Sequence, residues 1–175
     1  YDSVPAIFIT GQVKTKFLRP DEQVRQIGFQ ETDIVGMTKP VTKRSIMIKD
    51  EKNIRYELEY CYYLASTGRP GPILLDVPMD IQKKYVDIDK LKSFKPKKND
   101  FDFKKGNKQI KKFIKDFENS ERPVLLIGGG VKNADAVNDL QKLGQQMNIP
   151  VFPTWNALDI VTSDYSNYCG RVGTY

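Results

Sequence analysis

Between residues 44 and 77 the chain reads strand, helix, strand, and that order leaves few folds open. Arg44-Ser45-Ile46-Met47-Ile48 and Pro72-Ile73-Leu74-Leu75-Asp76-Val77 are nearly continuous apolar runs, the pattern of strands covered on both faces. Between them Ile54, Leu58, Cys61, Tyr62 and Ala65 recur at helical steps. They predict a helix from Asn53 to about Thr67, with Asn53 as N-cap and Gly68 as the stop. Two such strands joined by such a helix predict a right-handed parallel crossover. A third run, Val4-Pro5-Ala6-Ile7-Phe8-Ile9-Thr10, predicts another buried strand.

Beyond Pro78 the periodicity fades. Lys83 to Lys115 holds thirteen Lys and four Asp, about nine positive charges, in a chain with 28 Lys+Arg and 22 Asp+Glu overall. The stretch contains no Arg, and Phe113 suits an amphipathic helix better than a stacking platform. We read it as a solvated linker running into a helix face, with no nucleic-acid partner. A second βα pattern follows: a helix from Asn107 to about Glu118, a strand Val124–Ile127, the turn Gly128-Gly129-Gly130, a helix from Asn133 to about Met147, and a strand Pro150–Pro153. The expected fold is α/β, parallel-sheet and doubly wound. Two partial domains, 1–82 and 106–175, are joined by a Lys-rich linker at 83–105. Each half shows too few strands to cover a parallel sheet, so we expect a segment of a larger enzyme.

The chain has no His. His-ligated zinc, His general bases and Ser-His-Asp triads are therefore excluded within it. Cys61 and Cys169 are too few for a disulfide framework or a Cys₄ site. Cys61 falls on the apolar helix face and reads as core, and Cys169 has no base near it in sequence. No metal site is expected in the chain. No uncharged apolar run approaches the length of a membrane span, and the start carries neither Met nor a signal peptide, so a cytoplasmic location without membrane partners is expected.

Two places could touch a ligand. Gly128-Gly129-Gly130 after an apolar strand lets backbone N–H groups approach a phosphate, although no Lys-Ser/Thr follows and no acidic residue ends the next strand. A bare strand–turn–helix junction explains it equally well. Gly28-Phe29-Gln30-Glu31-Thr32-Asp33-Ile34-Val35, followed by Lys39-Pro40-Val41-Thr42-Lys43, offers an amide and an ammonium near strand ends, where a polar substrate could be oriented. A helix cap beside a surface Lys is the plainer account.

These residues, with Val4–Val13 and Gly68-Arg69-Pro70-Gly71-Pro72-Ile73-Leu74-Leu75-Asp76-Val77-Pro78-Met79-Asp80, resemble acetolactate synthase and its thiamine-diphosphate-dependent relatives. The resemblance runs in order through nearly the whole chain. It implies that 1–82 is the C-terminal half of the domain holding the cofactor's aminopyrimidine, and that 106–175 is the first half of the central domain. It implies thiamine diphosphate and Mg²⁺ in the parent enzyme, a 2-oxo acid of the pyruvate type as substrate, and a homodimer or homotetramer. Gln30 matches the Gln of the family's Phe-Gln-Glu motif near the cofactor, Phe29 the neighbouring channel aromatic, and Lys43 a channel Lys near a substrate carboxylate.

Gly128, Gly129 and Gly130 match the turn that contacts FAD in acetolactate synthases. The resemblance leaves FAD open, because Trp155 stands where the family has a small residue. Neither the family's Gly-Asp-Gly…Asn motif nor its catalytic Glu matches a position here, so the resemblance implies no activity from this chain alone. Lys14 replaces the usual Pro after Gly-Gln-Val, which implies an altered acceptor and keeps a carboligase of a specialised pathway as the alternative. A non-catalytic binding module is the alternative of another class.

Overall fold

A computed structural model describes residues 2–96 and 102–173. It divides into two compact units, residues 1–97 and 98–175. Each is a small α/β arrangement with a parallel sheet.

In the first unit, strands β1 (Ala6–Gln12), β2 (Arg44–Met47) and β3 (Pro72–Pro78) form a sheet in the order β1-β3-β2. Helix α1 (Ile34–Thr38) and helix α2 (Ile54–Ser66) lie between the strands in sequence, and α3 (Met79–Gln82) follows β3. The strand–helix–strand unit is as expected. Cys61 and Ala65 on α2 are buried with Ile48, Ile73, Leu75 and Ile81, and burial pushes the Cys61 thiol pKa up. Gly68 ends the helix at φ +63°, where its lack of a Cβ is required. Asn53 is the N-cap residue of α2, as expected, but its side chain makes no capping bond; Asp50, accepting from Lys52 N at 2.9 Å, opens a 3₁₀ turn that runs into the helix.

The expectation of three buried strands holds for β3, only in part for β2, whose four residues are half-buried, and not for β1. Ile7 and Ile9 of β1 lie beside Ile73 and Leu75 in register, yet Ile9 is 63% exposed while Leu75 is 0%. Helix α2 covers the central strand, whereas β1 has a strand neighbour on one side only among the described residues.

The stretch read as a linker at 83–105 is divided. Residues 91–96 lie on α2: Phe94 meets the rings of Tyr56, Tyr60 and Tyr63 at centroid distances of 5.6, 4.9 and 5.3 Å. Glu59 accepts from Ser93 Oγ and Phe94 N. Residues 97–101 lie outside the described residues. Helix α4 (Phe103–Glu118) then begins four residues before the expected Asn107, because Asp102 caps it by accepting from Lys105 N at 3.0 Å. No residue of α4 is buried; Ile110, Phe113 and Ile114 form an exposed apolar stripe opposite its lysines.

In the second unit, β4 (Leu125–Ile127) pairs in parallel with β5 (Val151–Pro153). The helix expected from Asn133 is broken in two, a single turn α5 (Gly130–Asn133) and then α6 (Val137–Met147). Asp135, at φ +52°, lies in the break, so Asn133 ends a helix rather than opening one. After β5 the chain returns alongside it, with Cys169 N donating to Val151 O at 3.1 Å and Val172 N to Pro153 O at 3.0 Å. Among the described residues no helix is long and apolar enough to cross a membrane.

Candidate functional site

Ligands of parallel α/β sheets gather at the carboxyl ends of the strands, and in the first unit that end is built around a buried carboxylate. Asp76 is 0% exposed on the central strand. Its Oδ1 accepts from Thr10 Oγ1 at 2.8 Å and its Oδ2 from Gln12 Nε2 at 2.9 Å. Gln12, also buried, donates from the same nitrogen to Thr32 O at 2.7 Å, while its Oε1 accepts from Val13 N at 3.0 Å. The pair thus joins β3, β1 and the loop that β1 feeds.

That loop, residues 13–33, is held at several points. Asp80 accepts from Thr15 N at 2.9 Å and Thr15 Oγ1 at 2.6 Å, which lowers its pKa. Glu31 gathers the loop's interior by accepting from Arg19 N at 2.6 Å and Ile27 N at 2.9 Å, and those amides hold its carboxyl below the usual range. Asp33 caps α1 through Gly36 N at 2.9 Å and pairs with Arg19 at 3.3 Å. Gly28 is tightly enclosed, since a Cβ there would lie 3.0 Å from Val13 Cγ2 and 3.1 Å from Phe17 O. The turn ends with Gln30 at φ +66°. Phe29, 85% exposed, and Gln30 are both presented outward, and the Gln30 side chain has no hydrogen-bond partner among the described residues.

Lys43 is not with them. It precedes β2, at the opposite edge of the sheet, where its own N–H donates to Pro72 O. Its ammonium donates to the carbonyls of Leu64, Thr67 and Arg69, the last two at 2.9 Å each. Three donors meet three acceptors, so this Lys closes the C-terminal end of α2. The structure therefore separates Lys43 from Phe29 and Gln30.

The glycine turn lies at the carboxyl end of β4. A Cβ on Gly129 would be 3.0 Å from Asn156 Cβ and 3.2 Å from Asn156 O, so that glycine is explained by close approach of the chain's own backbone. Gly128 has only Thr154 Oγ1, at 3.9 Å, near a Cβ position, and Gly130 has nothing within 4 Å. Lys132 is engaged with Asp159 at 2.7 Å, which lowers the Asp159 pKa. The turn opens a four-residue helix rather than α6, which removes the long-helix terminus expected to favour a phosphate. The residues present give no cradle that requires a flavin. Among the described residues no group of three or more His, Cys, Asp or Glu could hold a metal ion.

The network of Thr10, Gln12 and Asp76 escaped the sequence reading. Its trace was an Asp inside the apolar run 72–77, a charged residue in a strand of the buried type.

Residues 110–175 match the model of the thiamine pyrophosphate enzyme central domain. The acetolactate synthase large subunit of Haemophilus influenzae is 33% identical over 182 residues, covering 99% of this chain and 30% of the relative. The chain belongs to the thiamine-pyrophosphate-dependent enzyme family. Within that family it is 36% identical to the acetolactate synthase large subunit of Corynebacterium glutamicum (99% of this chain, 27% of the relative). It is 32% identical to the glyoxylate carboligase of Escherichia coli O157:H7 (98% and 28%). The chain spans less than a third of the length of these relatives.

Proposed function

We propose that this chain is the segment of a thiamine-diphosphate-dependent 2-oxo acid carboligase that presents Phe29 and Gln30 to the cofactor and substrate. The observation that carries the reading is the end-to-end similarity to acetolactate synthases and a glyoxylate carboligase, 98–99% of the chain in each case. Thiamine diphosphate, when bound, supplies the electron sink for breaking and making the bond next to the substrate carbonyl. Gln30, with a free amide on a braced turn, offers one donor site and one acceptor for a polar group. Phe29 offers an apolar wall that keeps water from it.

On this reading residues 1–82 complete the pyrimidine-binding domain, 83–105 connect, and 106–175 begin a doubly wound central domain. Mg²⁺ and the diphosphate fall to parts of the enzyme carrying the Gly-Asp-Gly…Asn motif, which does not occur in this sequence. The 175 residues alone are then inactive. Exposed apolar residues on β1 and α4 support a larger assembly, a homodimer or homotetramer in the cytoplasm, because such surfaces are ordinarily covered. Lys43 takes no part in the channel on this reading. FAD is not invoked, since Asn156 accounts for Gly129.

The test is cofactor-dependent carbon dioxide release from pyruvate and from glyoxylate by the full-length enzyme supplied with thiamine diphosphate and Mg²⁺. Release from neither sinks the carboligase reading, and turnover by the 175-residue chain alone sinks its inactivity. The relative that is a glyoxylate carboligase favours a second reading, a specialised carboligase with another acceptor. Products formed from each acid separately decide between the two.

A further inference from the structure

We infer that Gln12 and Asp76 are positioning residues that set the orientation of the Phe29–Gln30 turn by holding the Thr32 carbonyl. The inference rests on the carboligase reading for its purpose, and on the hydrogen bonds for its geometry. Both hydrogens of the Gln12 amide are directed at oxygens, Asp76 Oδ2 at 2.9 Å and Thr32 O at 2.7 Å. Its own oxygen accepts from Val13 N at 3.0 Å. Flipping the amide would set its oxygen against a carboxylate and a carbonyl, and its NH₂ against an N–H. One orientation alone satisfies all three contacts. Asp76 selects that orientation: it is wholly buried on the central strand, and its second oxygen is occupied by Thr10.

The position of Thr32 in the chain gives this rigidity a purpose. Gln30, in the left-handed region, is followed by two clamped residues: Glu31, fixed to Arg19 and Ile27, and Thr32, fixed to Gln12. The Glu31 clamp ties the loop to itself. The Thr32 clamp ties it to the sheet. Removing the second leaves the loop anchored at Thr15 by Asp80 but loosens the turn's own tie to the strands, and small displacements of a positioning group reduce rate steeply.

A double substitution isolates that link. In Gln12→Glu/Asp76→Asn the new amide donates to the new carboxylate, Thr10 still has an acceptor at 76, and Val13 N still has one at 12. Thr32 O loses the Gln12 donor and faces an oxygen instead. Two readouts follow on the full-length enzyme: the thermal midpoint, and tryptic cleavage after Arg25, which is exposed within the loop. We expect a midpoint close to that of the unsubstituted protein, cleavage after Arg25 roughly tenfold faster, and kcat/KM lower by roughly tenfold.

Unchanged cleavage after Arg25 overturns the inference, and so does unchanged kcat/KM in an enzyme that turns over. If the unsubstituted enzyme releases no carbon dioxide from a 2-oxo acid, the carboligase reading fails by itself, and the cleavage rate still decides the clamp. If the double variant does not fold, amide exchange in the unsubstituted protein decides. Protection of the Val13 N–H, which donates to Gln12 Oε1, comparable to β1 supports the clamp, and immediate exchange overturns it.

Discussion

Lys43 crosses Gly71 so closely that a Cβ on residue 71 would lie 2.9 Å from Lys43 Cδ and 3.1 Å from Cγ. The bare glycine lets the ammonium reach the carbonyls of Leu64, Thr67 and Arg69 at the end of α2. Lys43→Met keeps the stem and removes the donors. It is expected to destabilise the chain by about 1 kcal/mol in urea unfolding, the modest value reflecting the exposed site. Gly71→Ala should act in the same direction by displacing the stem. A channel role for Lys43 would instead appear as altered substrate preference in the full-length enzyme with stability unchanged.

Glu59 makes the attachment of residues 91–96 sensitive to acid. Hydrogen bonds from Arg55, Ser93 and Phe94 N lower its pKa from 4.5 to about 2. Because the folded value lies below the unfolded one, the stabilisation is complete above pH 4.5 and is lost as the pH falls toward 2. Tyrosine fluorescence should report Phe94 leaving Tyr56, Tyr60 and Tyr63 across that window. E59Q should lack the transition, and an identical titration in E59Q would assign it to another carboxylate.

Gly129 and Gly130 separate packing from ligand approach. Gly129→Ala drives a Cβ against Asn156 Cβ and its backbone oxygen, so a loss of about 1–3 kcal/mol is expected in thermal unfolding. Gly130→Ala meets nothing and begins a helical turn, so stability should hold or rise by about 0.5 kcal/mol. The purified full-length enzyme should show no flavin absorbance. A yellow protein that Gly130→Ala bleaches would restore FAD to the turn.

Tyr165 explains a glycine in the middle of α6. A Cβ on Gly144 would coincide with the Tyr165 hydroxyl, so Ala, ordinarily better than Gly in a helix by about 1 kcal/mol, should here destabilise. Tyr165→Phe in the same chain removes the hydroxyl and should restore part of the loss. Equal stability of Gly144→Ala with and without Tyr165→Phe would place the clash elsewhere.

The first unit's fold was readable because α2 and β3 carry their signals locally: apolar residues at helical spacing, a continuous apolar run, and a glycine whose φ of +63° ends the helix. The same signals misjudged β1. Its composition matches that of β3, but burial depends on neighbours, and an apolar run carries no count of them. Helix starts shifted for a related reason. Asp102 caps α4 ahead of the expected Asn107, while α6 was cut short by the left-handed Asp135.

Residue types along the chain limit the side-chain chemistry it can offer, since it holds no imidazole, and an ordered set of motifs marked its family. Phe29 and Gln30 stand out as candidates from those motifs because they are contiguous. The separation of Lys43 from them, and the contact of Gln12 with Asp76 across 64 positions, arose from strand order and side-chain direction. A sheet in the order β1-β3-β2 brings together residues far apart in sequence and sends residues 13 positions apart to opposite edges. Local propensity encodes neither result, since both depend on how three separate strands pair.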